Sequence, residues 1–193
     1  MLAAVENLAA DGVSYSTVTV ERLAMAAGIS RATFYIYFES KADLAEAWLA
    51  ETLKEIARAA VGWEELDAAP SPERLTLVVG DLIDAYTAHA ALLVAVQAEA
   101  TQHPLLRRRL AEASDIAVDS IRDHIAAGQA AGWVDRDLPA LETAAWLYWM
   151  FERGLRQLVT GANVQRKRAL RDNLASILWH VLYGPPVPAG GSA

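Results

Sequence analysis

The chain predicts an all-α protein of about nine helices, and three observations carry that prediction. Apolar residues recur at three- and four-residue intervals along most of it. The stripes open on Ser, Thr or Pro and close on Gly, and residues 19–43, TVERLAMAAGISRATFYIYFESKAD, have the spacing of two short helices joined by a tight turn. The stripes divide into a three-helix N-terminal unit over 1–44, a larger helical unit over 45–184 and a frayed, disordered tail over 185–193, PPVPAGGSA.

Leu2, Val5, Leu8 and Ala9 make a brief apolar stripe that stops at Asp11-Gly12, a helix able to buttress the next two. Val20, Leu23, Ala24 and Ala27 then sit at i, i+3, i+4 and i+7, with Thr19 as N-cap and Gly28 as the stop. Ser30 caps the next helix. Ile29 precedes that cap and Phe34 takes the fourth helical position, which is the spacing of a hydrophobic staple. With successive residues about 100° apart, Phe34 and Phe38 turn inward and Ala32, Thr33 and Ile36 outward, flanked by Arg31, Tyr35 and Tyr37. Ser40, with Asp43 three residues on, opens a third helix in the manner of a capping box.

That third helix reaches about Val61 on the stripe Ala45, Leu49, Leu53, Ile56 and Ala60, with Leu44 and Trp48 beside it. Residues 62–71, GWEELDAAPS, read as a loop whose acids Glu64, Glu65 and Asp67 are a solvated run. Ser71-Pro72-Glu73 supplies cap, first position and first-turn acid of a new helix. Helices continue over 72–88, 90–100 and 104–131, the last closed by Gly132. Arg107, Arg108 and Arg109 point in three directions there, a solvated surface with local acid partners. Gly128 and Gly132 read as a stop signal. Residues 138–160 are apolar nearly all round, so that helix is buried on more than one side. Leu170, Leu174, Ile177, Leu178 and Val181 give its partner over 163–183.

Composition narrows the chemistry. The chain has 193 residues, 54% of them hydrophobic, ample for a packed core. It has no cysteine, which excludes disulfides, thiolate metal sites and cysteine catalysis and fits a reducing, cytoplasmic setting. No apolar run approaches a membrane span, so no membrane partner is expected. His89, His103, His124 and His180 are too scattered for a metal cluster. GxSxG, P-loop and GxGxxG motifs are absent, so neither an enzyme nor a metal or other cofactor is expected.

The outward face of residues 31–37 offers a small residue, hydroxyls, two amphipathic aromatics and a cation, which suit base edges and phosphates in a major groove. An ordinary surface helix has the same spacing. The net charge of −7 weighs against a nucleic-acid partner. Between Thr19 and Lys41, Arg22, Arg31 and Lys41 stand against Glu21 and Glu39, a net +1, so phosphate binding would lean on hydroxyls, backbone N–H groups and helix N-termini.

The pattern V-E-R-L-A-x-x-A-G-I-S-R-A-T-F-Y-x-Y-F-x-S-K-x-D-L, Val20 to Leu44, resembles the TetR family of bacterial transcriptional regulators. The resemblance implies a helix-turn-helix DNA-binding domain over 1–44 and a ligand-binding and dimerisation domain over 45–184. Thr19 and Lys41 would hold phosphates, Ser30, Arg31, Ala32 and Thr33 would lie nearest base edges, and Tyr35 and Tyr37 would grip the backbone. Within the family, ISRATFYIYFESK, MFERGLRQLVTG and SILWHVLYG are most similar to the ethionamide-resistance-type repressors of actinobacteria. Family members usually carry a longer first helix preceded by a basic arm, so either the natural protein extends upstream of Met1, which is the expectation, or it lacks the arm.

The implied partners are a double-stranded DNA operator, a second copy of the chain and a small hydrophobic effector. In the family, the last two helices pair with their copies as a four-helix bundle. The expected effector is elongated and mainly apolar, lined by some of Tyr86, Trp146, Tyr148, Phe151, Glu152 and Trp179. Tyr148 and Phe151 replace smaller polar residues expected from the resemblance, which implies a narrower or partly filled pocket. Glu152 lies on the face of Leu141, Ala145, Tyr148, Leu155 and Val159, with Arg153 and Arg156 read as pointing elsewhere. It is a satisfied ion pair or a polar anchor in an apolar cavity. The functional expectation is a homodimeric repressor released by its ligand. The alternative is a helical small-molecule-binding or protein-interaction module with weak or vestigial DNA binding.

Overall fold

The structure is a computed structural model that describes residues 8, 15–64, 66 and 71–184. The described residues form eight α-helices and no strand: α1 (Val20–Ala26), α2 (Arg31–Tyr37), α3 (Lys41–Glu64), α4 (Pro72–Ala88), α5 (Ala90–Ala100), α6 (Pro104–Ala131), α7 (Ala140–Gly154) and α8 (Val164–Leu182). A 3₁₀ turn, Tyr15–Thr17, precedes α1, and a π turn, Leu155–Val159, comes after α7. The expected helix over 2–9, apart from Leu8, the tail over 185–193 and the side chains of Glu64, Glu65 and Asp67 lie outside the described residues.

Local chemistry sets the helix ends. The Thr19 hydroxyl accepts from Arg22 N at 3.3 Å, and the Ser30 hydroxyl from Thr33 N at 3.0 Å. Between them Gly28 takes φ +71°, Ile29 N bonds Ala24 O at 3.0 Å and Gly28 N bonds Met25 O at 3.1 Å, a Schellman ending that only a residue at ease with positive φ closes without strain. At α3, Asp43 N bonds Ser40 Oγ at 3.1 Å, while the Asp43 carboxylate reaches back to Glu39 N at 3.0 Å, one residue ahead of the cap.

One boundary differs from the sequence reading. α3 continues through Gly62 and Trp63 to Glu64, where the composition suggested a loop from Gly62. Trp63 is only 7% exposed, and burying an indole outweighs the roughly 1 kcal/mol that a helical glycine costs. Gly62 also lies close to Val78, whose methyl would be 3.3 Å from an added Cβ.

The chain forms two compact units, one from residues 1–57 and 88–113, the other from 58–87 and 114–193. In the first, Ala24, Phe34 and Leu44 are buried, with Val20, Ile29, Phe38 and Trp48 packed against them, so both ends of the Ile29–Phe34 staple meet one core. α5 also belongs to this unit; Leu92, Leu93, Ala95, Val96 and Glu99 are buried along it. In the second unit Leu75, Val79, Ile83, Ile125, Ala144, Leu147, Leu178 and Leu182 form part of one continuous core.

Candidate functional site

The helix-turn-helix is built on α1 and α2. Phe34, fully buried, fixes the roll of α2, and the opposite side is bare: Tyr35 is 45%, Ile36 76% and Tyr37 71% exposed. Ser30, Arg31 and Ala32 are exposed beside them and Thr33 is half-buried. The Ser30 and Thr33 hydroxyls lie 2.8 Å apart, so each enters any further hydrogen bond already oriented.

Two of the expected contacts are engaged within the protein. Arg31 Nη1 lies 2.6 Å from Glu21 Oε1, and the guanidinium sits 5.5 Å over the Tyr35 ring. Hydrogen bonds from its own backbone N–H and from Thr19, then the Arg31 charge, hold the Glu21 carboxyl below its ordinary range. Lys41 Nζ donates to the Tyr15 carbonyl at 3.0 Å and lies 3.8 Å from Glu99 Oε2. The structure thus brings Thr19, Ser30, Arg31, Ala32, Thr33, Tyr35 and Tyr37 together around α2, while the Lys41 amine is turned toward Tyr15 and α5.

Of the residues expected to line a ligand pocket, Tyr86, Tyr148 and Glu152 converge in the second unit. Burial, and after it the Glu152 charge, raises the Tyr86 phenol. Burial likewise raises Tyr148, whose hydroxyl lies 2.9 Å from Ser114 Oγ. Phe151 and Trp179, like Tyr86, pack against the core of that unit. Trp146 shares only Glu152 with them, at the edge of a different, open surface. It is 78% exposed and lines an open depression of about 940 Å³ on α7 and α8 with Trp149, Met150, Ile177 and Val181. The reading of Arg156 is corrected: its Nη2 lies 3.8 Å from Glu152 Oε2, because residues i and i+4 are neighbours on one helical face.

Two features had little signal in the sequence. His124 packs against both Trp63 and Trp133 with tilted rings, centroids 4.9 and 5.1 Å away, and its Nε2 lies 2.7 Å from the Tyr183 hydroxyl. Burial pushes its pKa down to about 4. Glu99, 7% exposed on the otherwise apolar α5, is the other. Only the bare fact of an acid in an apolar stripe could have flagged it.

Fold and site together define a class: an all-helical protein with a small helix-turn-helix whose reading helix is exposed, joined to a larger helical unit. Residues 2–48 match the family model for bacterial regulatory proteins, tetR family. The TetR regulator PfmR from Thermus thermophilus is 19% identical, with TM-score 0.71 over 95% of this chain and 97% of its own. FadR from Bacillus subtilis, solved with stearoyl-CoA, is 18% identical, with TM-score 0.69 over 96% and 97%. A protein from Saccharomonospora viridis, described as a transcriptional regulator and solved with choline, is 26% identical, with TM-score 0.68 over 93% of each chain. No curated protein sequence matches the chain. The chain shares the all-helical fold of these TetR-family regulators.

Proposed function

We propose that this protein is a homodimeric transcriptional repressor that reads a pseudo-palindromic operator and is released by a mainly apolar small molecule. The observation that carries the reading is the exposed, capped α2, rolled by buried Phe34 so that Ser30, Arg31, Ala32, Tyr35, Ile36 and Tyr37 face away from the core, within the stretch that matches the tetR model. Ser30, Arg31, Ala32 and Thr33 would meet base edges, with Tyr35, Tyr37, Thr19 and Lys41 on the backbone, Lys41 after exchanging protein partners for phosphate.

A reading unit with few unpaired cations grips weakly as a monomer, so two half-sites are needed. The depression on α7 and α8, with Trp146 and Trp149 at its surface, offers the dimer seam. Successive recognition helices would then lie about 34 Å apart or a multiple of it. Ligand binding near Tyr86, Tyr148, Phe151, Glu152 and Trp179 would favour a subunit arrangement with the wrong spacing, reducing operator affinity by as much as the ligand prefers that arrangement. The stearoyl-CoA and choline complexes of proteins with this fold support a ligand-responsive second unit. The likeness to ethionamide-resistance-type repressors favours an elongated apolar ligand.

The test is enrichment of random duplex DNA by the purified protein at physiological salt, and then sequencing. A pseudo-palindrome with one-turn or multiple-turn half-site spacing is the expected outcome; no enriched sequence would overturn the reading. It would favour instead a ligand-binding or interaction module with vestigial DNA binding, for which the Glu21 and Glu99 partners of the two cations are the favouring observation.

A further inference from the structure

We propose that Glu99 is an internal substitute for a DNA phosphate, holding the Lys41 ammonium from α5 and so limiting how much of that charge reaches DNA. The inference rests on the DNA-binding reading. Lys41 is the first residue of α3 and is fixed at both ends by one neighbour: its carbonyl accepts from the Tyr15 hydroxyl at 2.9 Å, and its Nζ donates to the Tyr15 carbonyl at 3.0 Å. The ammonium also lies 5.2 Å over the Tyr15 ring. Glu99 Oε2 lies 3.8 Å from the ammonium, and its other oxygen lies 2.9 Å from His103 Nε2.

Packing alone does not account for the acid. Glu99 is 7% exposed on a helix whose other buried residues are Ala, Leu and Val, where an unpaired carboxylate would be costly. The Lys41 side chain retains only 19% exposure, so the pair is shielded from water and salt far better than the half-exposed Arg31–Glu21 pair. A phosphate at the start of α3 needs the same ammonium that Glu99 engages. DNA binding therefore becomes an exchange of one anion for another, and the charge gained is less than a lysine facing solvent would supply.

The experiment compares wild type and Glu99→Gln, as full chains, on random-sequence duplex DNA by anisotropy across a salt series. It also measures acylation of the Lys41 amine by mass spectrometry without DNA. Expected for Glu99→Gln are tighter binding to all sequences alike, a log K against log salt slope steeper by up to about 0.9 per subunit, and faster acylation of Lys41. Lys41→Gln should erase the difference, so that the double variant matches Lys41→Gln. Wild-type binding with an unchanged slope and unchanged acylation in Glu99→Gln overturns the proposal. Absence of DNA binding by wild type overturns the DNA-binding reading beneath it, which the acylation rate does not report. If Glu99→Gln does not fold, Lys41→Gln in the wild type decides: a slope flattened by the full 0.9 or so per subunit means that Lys41 was never withheld, and the proposal fails.

Discussion

At the scale of single residues, the reading unit depends on small groups in fixed places. Thr33→Ala removes a hydroxyl from the bare face of α2 while leaving the backbone N–H that Ser30 caps, so the fold should persist. Specificity at one half-site position should relax by about 1 kcal/mol, read by anisotropy on operators permuted at each base pair. Gly28→Ala acts on the fold instead. Its φ of +71° costs any L side chain about 1 kcal/mol or more, so thermal unfolding should show the loss even though nothing would crowd the added methyl. Such effects were legible beforehand because caps, stops and staples are encoded within four or five residues. The acids that engage Arg31 and Lys41 were not. Glu21 lies ten positions before Arg31 and Glu99 fifty-eight after Lys41, separations that no helical periodicity links.

At the scale of elements, the α6 terminus does more than stop a helix. Gly132 adopts φ +87°, and Trp133 N and Val134 N both return to the Gly128 carbonyl at 3.0 and 3.2 Å. A methyl on Gly128 would run into Val134 and the Trp133 ring, so Gly128→Ala should destabilise the protein by about 1–3 kcal/mol, measured as a lower denaturant midpoint. Gln129 secures the adjoining loop by donating to the carbonyls of Asp135 and Leu138 at 2.9 and 2.8 Å. The spacing GxxxG announced the stop, but the close approach depends on where the chain returns after Gly132. The same limit explains the α3 overrun: composition reads Gly62 as a break, and only the burial of Trp63 reverses that.

At the scale of the molecule, stability should track the state of His124. Its folded-state pKa is about 4 against the ordinary 6.5, so between those values the unfolded chain binds a proton that the native protein refuses. Stability is therefore unaffected above the window and falls as pH drops through it. Melting temperature across pH 4–7 should show that decline, and His124→Phe should flatten it; an equal slope in the variant would clear His124 of the effect. Assembly is the other property at this scale. Trp149→Glu places a charge in the apolar depression on α7 and α8 and should give a monomer by sedimentation with weakened operator binding. The helical class and nearly all helix ends could be read from the chain, because stripes and caps are local. Which aromatics turn inward and which face outward could not: Trp146 and Tyr148 differ by only two positions, yet one is 78% exposed and the other half-buried among Ser114, Tyr86 and Glu152.

On the proposed function, the carboxylates beside Arg31 and Lys41 would also bear on how an operator is found. Residence on non-operator DNA comes from released counterions, and cations already matched to acids release few. A repressor built this way would slide only briefly along the duplex and search mainly by repeated three-dimensional encounters. Its occupancy of the operator would then depend on protein concentration more than on the length of flanking DNA.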